Sequence, residues 1–258
     1  MRLRTAGCIT VWGLALAISP SISAQSARPA EPAKAAAGAS ARDLSGVWVL
    51  KAGQTSGLLT GAGQEPPMTA WGKAQFRAAK SAGQSKQADT AASDPHKYCD
   101  PTGVPRVDST QKPIEIVESS DEMYIFYEED HGWRQIYMDG RALPEEPDSS
   151  YLGYSVGKWE GDTLVVDTVG LNEMTWLDGA GHPHSDALRV EERFRREGPD
   201  ALRLSITITD PKAYAKTWTA APRIFERKAG YELTEDYCVP PENVGTRRAP
   251  SSPAPAGK

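Results

Sequence analysis

Long apolar runs are almost absent from this chain. Only the N-terminus carries one, from Cys8 to Ser19, and it is too short to span a bilayer. A multi-span helical membrane protein is thereby excluded. An excess of basic charge is missing too: 29 Lys and Arg face 34 Asp and Glu, a net charge of −5. Nucleic acid and anionic lipid are therefore not expected as partners. Apolar residues reach only 39%, against about 45–50% in a typical domain. Charged residues are an ordinary 24%, so the chain is not disordered throughout. No Cys-x-x-Cys, His-Glu-x-x-His, phosphate loop or dinucleotide fingerprint occurs. Residues 153–157 are not expected to form a nucleophile elbow.

The N-terminus has the parts of an export signal. Arg2 and Arg4 precede the apolar run, and Ser21-Ile22-Ser23-Ala24 offers small residues for cleavage. We expect a signal peptide over 1–24, export to a periplasm or the medium, and no membrane insertion after cleavage. A retained anchor is the alternative. Residues 25–42 and 244–258 are rich in Ala, Pro and Ser and read as a disordered linker and tail. A single domain is expected over 43–243. It holds 33 acidic and 21 basic residues, so its charge is −12.

Cysteine is scarce, three in 258 residues. Two of them, Cys99 and Cys238, lie beyond the signal. In an oxidising compartment such a pair reads as a disulfide. A metal ligand or a free thiol is the alternative.

The rest of the chain is dominated by strand signals. Leu44–Leu50 is β-branched, aromatic and short. Thr69 is a fair N-cap, and Ala70–Lys80 reads as a helix with Trp71, Ala74 and Ala78 on one face. Residues 81–113 form a long excursion full of turn signals. Strands are then expected at 114–118, 122–128, 133–138, 153–159, 163–168, 187–196, 202–209, 216–227 and 231–238. In 202–208, Leu202, Leu204, Ile206 and Ile208 alternate with Arg203, Ser205 and Thr207. A meander of about ten strands must curl or close to hide its edges. The expected fold is an all-β, up-and-down antiparallel barrel with one short N-terminal helix, of calycin or lipocalin type. A β-sandwich is the alternative.

Two resemblances bear on the fold. Gly46-x-Trp48 resembles the Gly-x-Trp of lipocalins. The order of several segments resembles a family of exported bacterial proteins. Among them are Cys99-Asp100-Pro101-Thr102-Gly103-Val104-Pro105-Arg106 and Gly157-Lys158-Trp159-Glu160-Gly161-Asp162-Thr163-Leu164, then Gly181-His182-Pro183-His184-Ser185. That resemblance spans nearly the whole core. It implies a common fold and brings no activity with it.

Chemistry is expected in the loop 172–186, which holds two of the four histidines, two aspartates and a tryptophan. Binding and catalytic residues favour such loops on rigid scaffolds. His184 is the expected general base, oriented by Asp178 or Asp186. Trp176, Asp186 and His182 would contact a ligand. The alternative is a polar surface loop with satisfied side chains. The hairpin Glu128-Glu129-Asp130-His131-Gly132 is a second candidate, with His131 over a barrel mouth. Otherwise it is a solvated acidic turn. Arg134, held inside a barrel, would steady a developing negative charge, and Arg141 would assist in binding. Arg189, Arg193 and Arg195 share one strand face, either outward as a salt-bridged surface or inward. Metal at His182-x-His184 is possible but not favoured, and no cofactor is expected.

The expected function is cofactor-independent acid/base chemistry on a small, fairly apolar organic molecule, by a lyase, isomerase or hydrolase. The alternative is a lipocalin-like binding protein without catalysis. A structural envelope module is the third reading.

Overall fold

The computed structural model describes residues 40–54, 57–84 and 93–239. The expected signal peptide, the tail and most of the linker lie outside the described residues. Ten strands form one sheet: β1 (Gly46–Leu50), β2 (Ile114–Glu118), β3 (Glu122–Tyr127), β4 (Trp133–Tyr137), β5 (Tyr154–Glu160), β6 (Thr163–Val169), β7 (Arg189–Arg196), β8 (Ala201–Thr209), β9 (Trp218–Thr219) and β10 (Arg223–Arg227). Neighbours follow chain order from β1 to β8. β10 pairs with both β8 and β1, which closes the sheet into a nine-stranded barrel. β9 lies outside the ring, on β8. Closure rules out the sandwich alternative.

Alternation sets the inside of the barrel. On β8, Leu202, Leu204, Ile206 and Ile208 are buried while their neighbours are half-exposed. On β7, Val190, Glu192, Phe194 and Arg196 are buried. Arg189 and Arg193 face outward, where they pair with Asp167 and Glu160. Trp48, Ile125, Ile136, Leu164, Val166 and Phe225 complete the core.

Three expectations are corrected. The barrel is mixed, because β4 and β5 run parallel through the pairs Ile136–Ser155 and Tyr137–Val156. Residues 138–153 carry the chain back along the barrel, as a parallel connection requires. Gly157 permits the close approach, since a Cβ there would lie 2.5 Å from Met138 Sδ. The expected strand 216–227 is broken. Ala220 bonds to Ile206, Ala221 turns to Leu59, and Pro222 has no N–H to offer. Residues 231–238 form no ladder. They are pinned by Tyr231 and Thr234 to the Glu128 carboxylate and by the Cys99–Cys238 disulfide.

The helix α1 runs Ala70–Gln84, longer than expected. Thr69 caps it by accepting from the Gly72 N–H at 3.1 Å.

The strand directions sort the connections into two groups. One end of the barrel has the tight links 119–121, 161–162 and 197–200. The other end collects the long ones: 51–113, 128–132, 170–188 and 210–222, with the approach 150–153 to β5. Both chemistry-bearing loops therefore stand on the same rim. Among the described residues, no helix is long and apolar enough to cross a membrane.

Candidate functional site

The loop 172–186 folds inward. His184 is buried between two partners. Its Nδ1–H donates to the Ser185 carbonyl at 3.1 Å, and its Nε2 accepts from the Thr175 hydroxyl at 2.8 Å. Burial lowers its pKa, so the ring is neutral. Asp178 does not orient it, which corrects the expected pairing. Asp186 is exposed.

Asp178 instead orients His182. Asp178 is fully buried and accepts from the N–H groups of Leu58, Ala180 and His182. Its Oδ2 also accepts from His182 Nδ1 at 2.5 Å. The other ring nitrogen of His182 donates to Glu65 at 2.7 Å. Phe76 stacks on the ring, 4.5 Å between centroids and 7° from parallel. Burial disfavours the charged imidazole, but Asp178 and Glu65 outweigh it and raise the pKa. The same pairing holds Asp178 below its ordinary value despite burial. Since both nitrogens of each ring are engaged, His182 and His184 do not converge on one point. Trp176 lines a separate cavity of about 270 Å³ with Lys80, Lys97 and Ala180.

His131 is exposed and leans on Tyr237, 4.8 Å between centroids. Arg141 is likewise exposed, clamped by Asp139 and stacked over Tyr137. His131 and His184 share a rim, but neither lines the Trp176 cavity or the apolar cavity beside Tyr127.

Arg134 is buried inside the barrel. Its Nε–H donates to Ser155 at 2.9 Å, and Nη2 reaches Thr168 at 2.6 Å and Glu192 at 2.5 Å. Its Nη1 lies 3.7 Å from Asp108 Oδ2. Asp108 belongs to the helical turn Arg106–Ser109, which plugs the loop end of the barrel. Two buried carboxylates thus meet one guanidinium. Burial, reinforced by the charge of Glu192, raises the Asp108 pKa well above the carboxylate range. Asp108 Oδ2, Arg134 Nη1 and Glu192 Oε1 make no hydrogen bond. Gly153-Tyr154-Ser155-Val156-Gly157 has the Gly-x-Ser-x-Gly spacing of a nucleophile elbow. Gly153 precedes β5, and Ser155 lies within that strand, bonded to Arg134 rather than raised on a strand-to-helix turn.

Next to this plug is a partly open cavity of about 320 Å³. Pro101, Thr102, Val107, Tyr127, Tyr151 and Leu152 line it, and its surface is almost wholly apolar. The Tyr127 hydroxyl donates to Asp108 behind the wall at 2.9 Å. Glu129 and Asp130 also line the cavity and carry its only charges. His96 bridges them, with Nε2 3.1 Å from Glu129 and Nδ1 3.6 Å from Asp130. Nδ1 also meets the Asp100 carbonyl at 3.2 Å. Glu129 foremost raises the His96 pKa, and burial raises that of Asp130. Asp130 and His131 take left-handed φ values of 56° and 51°. Such strain concentrates at functional sites. The frame is firm: Asp94 caps the turn holding His96 and forms a two-point ion pair with Arg106.

Sequence reasoning singled out the hairpin 128–132 but favoured its histidine over its carboxylates. It missed His96, Asp108, Tyr127, Glu192 and Glu65. Parity along β3 and β7 points Tyr127 and Glu192 inward with Ile125 and Val190. His96 and Glu65 carry no local signal.

No family model and no curated protein matches the chain.

Proposed function

We propose that this barrel is exported and binds a small, largely apolar organic molecule in the cavity beside Tyr127. One observation carries the reading: a cavity of about 320 Å³, almost wholly apolar, at the loop end of a closed barrel. That size lies at the lower end of small-ligand sites, roughly 300–1,000 Å³. Glu129 and Asp130 are its charged groups, so the site disfavours anions and suits a neutral or cationic ligand. Fatty acids and other organic anions are disfavoured on the same ground. The Cys99–Cys238 disulfide supports an oxidising compartment, in keeping with a periplasmic or secreted protein.

Binding without catalysis is favoured over acid/base turnover by His184, whose two nitrogens are engaged away from the cavity. One observation keeps a second reading open. Asp178 and His182 form an oriented acid/base pair, and catalysis there would require Glu65 to leave Nε2. Diethyl pyrocarbonate should modify His182 faster in Glu65→Gln than in wild type. Equal, slow modification of both would exclude that second reading.

The binding reading is tested by thermal shift with the neutral apolar probe N-phenyl-1-naphthylamine. Wild type should melt higher in its presence. Leu152→Trp, which fills the cavity, should abolish the shift while melting normally on its own. A shift that survives Leu152→Trp, or no shift in wild type, rejects the proposal.

A further inference from the structure

We infer that His96, Glu129 and Asp130 form a binding site for a divalent transition-metal ion at the mouth of this cavity. Each can supply one ligand atom, and these atoms lie within 4.8 Å of one another. Among the described residues, no other three His, Cys, Asp or Glu side chains come so close.

The donor set defines the ion. One imidazole and two carboxylates suit zinc, manganese or iron, where an all-oxygen site would suit calcium or magnesium. One ring nitrogen of His96 and one oxygen from each carboxylate lie within 4.8 Å of one another, so small side-chain adjustments bring all three onto one ion at about 2.0–2.2 Å.

Two further observations point the same way. Asp130 Oδ2 is shielded from solvent and makes no hydrogen bond, its only close contact of opposite charge among the described residues being the long one to His96 Nδ1 at 3.6 Å. A buried carboxylate oxygen normally accepts a hydrogen bond or meets a cation. The second is position: Glu129 and Asp130 also line the apolar cavity, so the open coordination positions of a bound ion would face it. An ion held by three protein groups keeps such positions for water or ligand.

Without metal, the same groups are held by a proton. The imidazole bridges Glu129 and the Asp100 carbonyl, which requires both ring nitrogens to donate. Metal binding displaces a ring proton, so affinity should rise with pH.

The inference does not rest on the small-molecule reading, since the three groups converge whether or not the cavity is filled. The test is isothermal titration of the disulfide-intact protein with zinc chloride and, separately, manganese chloride. Wild type should bind one equivalent of at least one of them, more tightly at about pH 7.5 than at about pH 5.5. His96→Gln and Asp130→Asn should each weaken binding by more than about tenfold, with unchanged circular dichroism. Leu152→Trp should bind metal as wild type does, which separates this site from the cavity proposal. Absence of binding in wild type overturns the inference. So does binding that both His96→Gln and Asp130→Asn retain.

Discussion

The hydroxyl of Tyr127 lies 2.9 Å from Oδ1 of Asp108 and joins the wall of the apolar cavity to the ionic centre of the barrel. Behind it, Arg134 and Glu192 complete a chain of polar groups in an otherwise largely apolar core.

Arg134 neutralises the buried Glu192 carboxylate inside the barrel, so its loss is costly. Arg134→Met should destabilise the protein by about 3–5 kcal/mol, because the buried Glu192 carboxylate loses its partner. Asp108→Asn should cost under about 1.5 kcal/mol, since burial already favours the neutral form of this carboxyl and the amide keeps its shape. Urea unfolding at neutral pH measures both. Equal losses would contradict the raised Asp108 pKa.

The same shift predicts a pH dependence. Asp108 has a folded pKa above its ordinary value of 3.8. As pH climbs past that value, the unfolded chain releases the proton and the folded protein keeps it. Stability from this residue therefore declines as pH rises from about 4 toward the folded pKa. Asp108→Asn should remove that decline. Wild type and variant with parallel stability curves would refute it.

These polar groups show what the sequence can and cannot tell. The barrel is legible because β7 and β8 alternate cleanly, and the disulfide because two cysteines remain beyond the signal. Arg134 is legible as an interior guanidinium by its parity with Ile136. The parallel pair β4–β5 is not, since 138–153 reads equally well as a long hairpin loop. Nor is the partner of Asp178. Both His182 and His184 are near it in sequence, and a turn with Gly181 at φ 94° brings back the first and not the second. The ring's other partner, Glu65, is 117 residues away.

His182 should titrate above its ordinary 6.5, because two carboxylates outweigh its burial. Its contribution to stability is fully present below 6.5 and is lost as pH rises through the folded pKa. Glu65→Gln should lower that pKa. The His182 ring resonances in an NMR titration report it directly, and an unmoved midpoint would show that Glu65 does not hold the charge.

The disulfide closes a loop of 139 residues and ties the C-terminal segment beside His96. In the chain-entropy view, Cys99→Ser with Cys238→Ser should lower stability by about 5 kcal/mol. Thermal unfolding with and without reductant should show the same loss in wild type. A difference under about 1 kcal/mol would mean that the rim is held by its other contacts alone.

Chemical-shift mapping tests the central claim, that the cavity beside Tyr127 receives a neutral apolar molecule. Backbone amides would be followed while N-phenyl-1-naphthylamine is added. The account predicts shifts concentrated at Thr102, Gly103, Val107, Tyr127 and Leu152, with the loop around His184 unmoved. Shifts centred on Trp176 and Ala180, or none at all, would contradict it.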